Sequence, residues 1–174
     1  MTEIELKFVL TEESLRRLKF RLKGLELNDS PARTRTLRSV YYDTPEHALR
    51  KAGTALRLRR DGRRWIQTVK ARTSINGGLL RAQEVETLAP GGRLDLTKIP
   101  VLSVRSELEN AIAGAELVPV CETQMKRATS VLTLESGAKV ELAIDSGEIV
   151  AGELREAFRE AELELLEGDV DSLY

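Results

Sequence analysis

The sequence predicts a mainly β protein: an antiparallel sheet of short strands closed into a barrel, with a polar, charged interior and a few flanking helices. Three observations carry that prediction. Apolar and polar residues alternate with period two through much of the 174-residue chain, and successive side chains of a strand point to opposite faces. Tight-turn pairs separate the alternating segments at short intervals, which suits a meander that closes on itself. The polar face of one strand after another is ionic rather than mixed, with like charges two residues apart. An ordinary solvated face mixes Thr, Ser and Gln with opposite charges paired across strands.

The first strand is EIELKF, residues 3–8, with Glu3, Glu5 and Lys7 alternating with Ile4, Leu6 and Phe8. TEESLRRLKFRLKG, residues 11–24, reads as a helix. Thr11 is its N-cap candidate and Gly24 its closing residue, while Glu12 and Glu13 at the start and Lys19, Arg21 and Lys23 near the end complement the helix dipole. Leu15, Leu18, Leu22 and Leu25 form its apolar stripe. RSVYYDT (38–44) is the second strand, followed by a short helix over 45–51 with Thr44 as cap and Pro45 in its first position. Asp43 reads as a turn residue beside that cap, and Arg38 as a surface residue. TALRLRR (54–60) turns through Asp61-Gly62 into RWIQTVKAR (64–72). Arg60, Arg63 and Arg64 flank that turn and are expected in solvent; Trp65 is expected to pack. Asn76–Gly78 turns into AQEVETLA (82–89), and residues 103–113 read as a helix. ATSVLTLE (128–135), KVELAIDSGEIVAG (139–152) and EAELELLEG (160–168) are the remaining strands, with Ser136-Gly137 and Ser146-Gly147 as turn cues. GDVDSLY at the end reads as the start of a helix.

The length suits one domain, residues 1–174, with a real core. A hydrophobic share of 41% and a charged share of 32% are those of an ordinary globular protein. A net charge of −1 argues against nucleic acid or an acidic membrane as partner. The charge is unevenly placed: nine Lys or Arg against one Asp between Arg50 and Arg72, and eight acids against two Arg between Glu153 and Asp171. Cys121 is alone, so the chain has no internal disulfide framework, and it reads as a small, buried or half-buried side chain. His47 is the one histidine, which excludes a His-based triad or a multi-His metal site within one chain. A metal would be held by oxygen ligands, which suits Mg²⁺ or Mn²⁺ and disfavours zinc. No run is apolar enough for a membrane span, and no signal-peptide pattern precedes the first strand, so a cytoplasmic location is expected. A homodimer is compatible with the sequence.

The ionic faces carry the chemistry. Arg57 and Arg59 share one strand face; Glu84 and Glu86 share another; Glu141 and Asp145 flank Ala143; Glu160, Glu162 and Glu164 alternate with Ala161, Leu163 and Leu165. Crowded carboxylates repel and raise one another's pKa, which a divalent cation would offset. Clustered guanidinium groups match phosphate oxygens. The pattern therefore predicts an inside-out barrel. Its apolar faces turn outward under the helices, and its charged faces line a tunnel with an acidic part for metal and a basic part for phosphates. Phosphoryl transfer needs that combination, because its catalysis is mostly positioning and charge neutralisation, with a metal-bound water as a ready nucleophile.

EIELKF also resembles the ExExK signature that opens the CYTH domain of the triphosphate tunnel metalloenzymes. VYYDTPEHAL (40–49), LRLRRDGRRWIQTVK (56–70), NGGL (76–79), VELAIDSGEIVAGE (140–153) and AELELLEGD (161–169) resemble family blocks in family order. The set is most similar to the bacterial inorganic triphosphatase branch, in which a helical CHAD domain often follows; the sequence reads as the CYTH part without it. The resemblance implies an eight-stranded tunnel that hydrolyses inorganic triphosphate to diphosphate and phosphate with Mg²⁺ or Mn²⁺. It implies Glu3, Glu5, Glu162 and Glu164 as metal ligands, and Lys7, Arg57, Arg59, Lys70 and Arg127 as phosphate-binding cations. Glu3, Glu5, Lys7, Asp145 and Glu148 would serve the chemistry, Asp145 and Glu148 through a second metal or by orienting water. Glu84 matches a further acid of a middle strand, and Glu141 reads as a tunnel acid paired to Arg. One position departs from the family pattern: Ala82 stands where an Arg is common, so either Arg81 reaches in through a bulge or that phosphate contact is lost. Sibling activities remain open: a class IV adenylyl cyclase-like enzyme, a nucleoside or thiamine triphosphatase, or a polyphosphate-binding module without chemistry. Only seven residues are Phe, Trp or Tyr, which favours a bare inorganic substrate.

Overall fold

Every alternating segment becomes a strand. The computed structural model describes residues 2–22 and 33–174. The strands are β1 (Thr2–Val9), β2 (Arg33–Asp43), β3 (Ala55–Asp61), β4 (Arg64–Asn76), β5 (Leu79–Leu88), β6 (Val118–Thr133), β7 (Lys139–Ala151) and β8 (Leu154–Glu167). They form one closed antiparallel barrel in the order β1-β5-β4-β3-β2-β6-β7-β8, with β8 returning to β1. Closure leaves no unpaired sheet edge. No helix among the described residues is long and apolar enough to cross a membrane.

The helices lie outside the barrel. The first, α1 (Glu12–Leu22), starts where the Ser14 amide donates to Thr11 Oγ1 at 3.1 Å. The expected closing segment, Lys23, Gly24 and Leu25, lies outside the described residues. The second, α2 (Ala48–Lys51), is shorter than the expected 45–51, because His47 sits in the left-handed region at φ 55 and delays the first helical turn. His47, not Thr44, therefore stands at the cap position and makes no side-chain cap bond, while the Thr44 hydroxyl, three residues earlier, accepts from the Ala48 amide at 3.0 Å. Asp43 is indeed structural: its carboxylate accepts from the amides of Thr44, Leu49 and Arg50 at 2.7, 2.8 and 3.0 Å. The third, α3 (Leu102–Ile112), falls within a residue of its expected bounds. The chain ends in a single 3₁₀ turn, Val170–Leu173.

The apolar faces pack outward against these helices, as the inside-out pattern requires. One cluster joins Leu6, Val140, Leu142 and Ile144 of the barrel to Leu15 of α1 and Leu173. The other joins Leu56, Val69 and Val85 to Leu49 of α2 and Val104 and Leu108 of α3. Each such side chain contributes about 1.5–3 kcal/mol when fully buried. A bulge in β4 between Ala71 and Ser74 turns Arg72 out at φ 54, where its guanidinium bonds Glu107 of α3 and ties that helix to the barrel.

Further details differ from the expected strands, β2 beginning at Arg33, five positions before residue 38. Ser146-Gly147 is no turn; it lies inside β7, with Gly147 paired to Met125 of β6. A Cβ on Gly147 would come within 2.3 Å of the Gln124 carbonyl and 2.6 Å of Met125 Cβ, so glycine serves close strand approach there. Strand β6 also begins at Val118, ten positions before residue 128, because the inward set Cys121, Thr123 and Met125 hides the period.

Candidate active site

The inner strand faces enclose a tunnel of about 940 Å³. Alternation turns Glu3, Glu5 and Lys7 of β1 into it, with Arg57 and Arg59 of β3, Lys70 of β4, Glu84 of β5, Arg127 of β6, Glu141 and Asp145 of β7, and Glu160, Glu162 and Glu164 of β8. The outer partners in the same strands, such as Leu56, Leu58 and Val69, sit in apolar surroundings and are at most 2% exposed. The antiparallel register sets the charges in rows. Glu5 faces Glu164, which faces Glu141; Lys7 faces Glu162; Arg127 faces Asp145, which faces Glu160.

Two ionic groups result. In the first, Arg127 bonds Asp145 and Glu162, each at 2.6 Å at its shortest, and Lys7 bonds Glu162 at 2.7 Å and Glu160 at 3.2 Å. Burial works against charge on Lys7 and Arg127, but the carboxylates around them outweigh it and raise both above their ordinary values. Burial likewise opposes charge on Glu162, yet Arg127 and Lys7 hold it below the usual carboxylate range. One oxygen each of Asp145, Glu160 and Glu162 lie within 4.8 Å of one another.

In the second group, Lys70 bonds Glu3 at 2.6 Å and Glu84 at 3.1 Å, and Arg57 approaches Glu84 at 3.5 Å. Burial pushes Glu3 up to about 7 despite Lys70, while Glu84, against the pull of burial, is held low by Lys70 and by a bond with Glu3. The environment thus drives the two carboxyls apart, Glu3 up and Glu84 down.

Between these groups stand charges with no bonded counter-ion among the described residues. Burial first, then Glu162, raises Glu5; burial first, then Glu141 and Glu5, raises Glu164. Neither makes an ion pair among the described residues. Arg59 also lacks an ion pair among the described residues, and its Nε is buried without a hydrogen-bond partner. Burial, then Arg57 and Arg127, lower it to about 10. An uncompensated carboxylate row of hard oxygens fits a divalent cation, and a desolvated lone guanidinium fits an anion.

The expected site residues are therefore largely brought together, with three departures. Glu148 does not line the tunnel: Asp145 turns inward, so Glu148 turns out and bonds Arg155 at 2.9 Å in solvent. The four expected metal ligands divide, with Glu3 held by Lys70 and Glu162 by Lys7 and Arg127, while Glu5 and Glu164 face each other unpaired among the described residues. Glu141 lines the tunnel without a bond to any Arg among those described. Arg81 is exposed on the outer face, so no bulge brings it in; Ala82 sits opposite Glu3, 3% exposed. Glu160 carried no role in the sequence reading, although its spacing of two from Glu162 was the signal that could have supplied one. Arg38, as expected, stays at the surface, bonded to Glu122 at 2.7 Å.

Comparison with known proteins bears on the family and the fold. The CYTH domain family model matches residues 1–173. The inorganic triphosphatase of Haemophilus influenzae is 25% identical over the whole chain, and the chain spans 48% of that protein's length, about half. Among solved structures, the RNA triphosphatase domain of the mimivirus mRNA capping enzyme superposes with a TM-score of 0.62 at 10% identity, over 99% of this chain and 83% of that one. A putative adenylate cyclase from Bacillus halodurans gives 0.60 at 20% identity, over 98% and 83%. A putative adenylyl cyclase from Hippeastrum with a dominant triphosphatase activity gives 0.56 at 18% identity, over 95% and 80%. At these identities the solved structures speak for the fold.

Proposed function

The chain belongs to the CYTH domain family, and from that premise we propose that its tunnel hydrolyses inorganic triphosphate to diphosphate and phosphate with Mg²⁺ or Mn²⁺. The observation that carries the reading is the desolvated Arg59, beside Arg57 and Arg127 and without an ion pair among the described residues, across the tunnel from the row Glu5, Glu164 and Glu141, which makes no ion pair among them either. An anion alone would leave the carboxylates uncompensated, and a cation alone would leave Arg59 so. A metal-bound triphosphate satisfies both. The name of the Haemophilus influenzae relative supports the inorganic substrate.

In this reading Arg57, Arg59 and Arg127 hold the phosphate oxygens and align the chain for in-line attack. Lys7 and Lys70 add charge at either side. Glu5, Glu162 and Glu164 would hold the cation, which when bound neutralises phosphate charge and makes water more acidic. Glu3, poised at about 7 beside Glu84, can accept the attacking water's proton at a carboxylate oxygen.

A second reading rests on one observation. A chamber of about 500 Å³ adjoins the tunnel, sharing Tyr41, Ala55 and Cys121 with it and adding Tyr42, His47 and Arg50. It offers room for the organic part of a nucleoside or thiamine triphosphate. Phosphate release from inorganic triphosphate, ATP and thiamine triphosphate with each metal decides between the two. Turnover confined to inorganic triphosphate supports the first reading; preference for an organic triphosphate replaces it with the second. Glu5→Gln is expected to lower kcat by at least about 100-fold; a fully active variant removes Glu5 from the mechanism.

A further inference from the structure

We infer that Ser39 is a direct phosphate-binding residue, its hydroxyl and the Arg59 Nε–H converging on one oxygen of the bound triphosphate. The inference rests on the triphosphatase reading above and adds a group that no charge pattern reveals. Ser39 lies on β2 and is 1% exposed, and its Oγ has no hydrogen-bond partner. Buried hydroxyls are nearly always bonded, so an orphan needs an explanation.

The register supplies one. Ser39 is the direct cross-strand partner of Arg59 on β3 and of Thr123 on β6. Directly opposed residues of an antiparallel pair share a face, and both Arg59 and Thr123 line the tunnel. Tyr41, two residues on, lines it too. Ser39 therefore turns inward beside Arg59, its direct cross-strand partner, whose Nε is buried and unbonded, as is that of Arg57 on the same strand face. The pair offers an O–H and an N–H, both donors, with no acceptor assigned to either. Two desolvated donors side by side suit a single anionic oxygen, and in this tunnel that oxygen belongs to a phosphate.

The test is calorimetric titration with tripolyphosphate in EDTA, for the wild type, Ser39→Ala, Arg59→Lys and the double variant, with thermal melts of each apo protein. Arg59→Lys keeps the charge and removes Nε. Ser39→Ala is expected to melt no lower than wild type, since it deletes an unbonded polar atom, yet to bind tripolyphosphate about tenfold more weakly. In the Arg59→Lys background the same change should cost less than in the wild type, because the shared oxygen has already lost one donor. In turnover assays Ser39→Ala should raise KM more than it lowers kcat. Wild-type affinity in Ser39→Ala overturns the inference, as does a lower apo melting point with unchanged affinity, which would make the hydroxyl structural. Equal costs in both backgrounds overturn the shared oxygen. If the wild type itself neither binds nor hydrolyses tripolyphosphate, the parent reading fails instead, and the two failures are distinct.

Discussion

At the scale of single residues, the tunnel keeps charges that the fold alone would not favour. Arg59 is a cation whose pKa the fold lowers to about 10, through burial first and then Arg57 and Arg127. The shift disfavours its charged form at every pH below that value, so neutral pH carries the full penalty. Arg59→Met keeps an apolar stem and removes the charge. It should stabilise the apo protein by about 1–3 kcal/mol at pH 7 while abolishing tripolyphosphate binding; a lower denaturation midpoint in the variant would show that Arg59 serves the fold. Glu3 makes the opposite kind of statement. Its folded pKa of about 7 stands above its ordinary value of 4.5, so the native state binds more protons than the unfolded chain between those limits. Stability of the metal-free protein should then fall as pH rises from about 5 to 7. Glu84 and Glu162 are shifted down and contribute stability that is lost only below the ordinary carboxylate range, outside that window. Melting points in EDTA between pH 5 and 8 check this. Glu5 and Glu164 are raised too and add to the same fall, so Glu3→Gln should lessen the slope without removing it, and identical slopes in the two proteins would assign the titration elsewhere.

At the scale of elements, legibility followed the regularity of alternation. EIELKF and EAELELLEG show strict period two with charge on one face, and β1 and β8 appear around them. Strand β6 was read too short because its inward face changes from Cys121, Thr123 and Met125 to Arg127, and Pro119 interrupts its start. Ser146-Gly147 was misread for a related reason: a glycine signals a turn in most sequences, but also a place where two backbones touch. The two roles separate by experiment. Gly147 sits where a Cβ meets the β6 backbone, so Gly147→Ala must push two strands apart and should cost about 2–3 kcal/mol. Gly137, in the turn before β7, has φ +82 and open space around it. Gly137→Ala should therefore cost only about 1 kcal/mol of backbone strain. Urea midpoints measure both. The reverse order would mean that β6 and β7 are not held in close contact at Gly147.

At the scale of the whole molecule, the inward direction of the charges was legible because apolar residues alternate with them on both sides of the barrel. Which acid meets which base was not, because register decides it: Glu5 faces Glu164 and Lys7 faces Glu162 through pairings between strands more than 150 positions apart. That register creates a coupling that belongs to the barrel as a unit. Lys7 and Arg127 neutralise Glu162, and in doing so spend on carboxylates the donors that phosphates would use. In the proposed reading, a divalent cation taken up by Glu5, Glu162 and Glu164 would displace that need and release both bases toward the anion. Cation and triphosphate should therefore favour each other's binding, and by linkage the effect is reciprocal. At a hundredfold excess over Kd one ligand stabilises the fold by about 2.7 kcal/mol, or about 5–10 °C in Tm for a chain of this size. Mg²⁺ and tripolyphosphate together should raise Tm by more than the sum of their separate shifts, at free concentrations corrected for their complex in solution. In Lys7→Met, where one of the two bases is gone, the excess over the sum should shrink. Strict additivity in the wild type would show that the ion pairs are fixed parts of the wall and that metal and phosphate sites act independently.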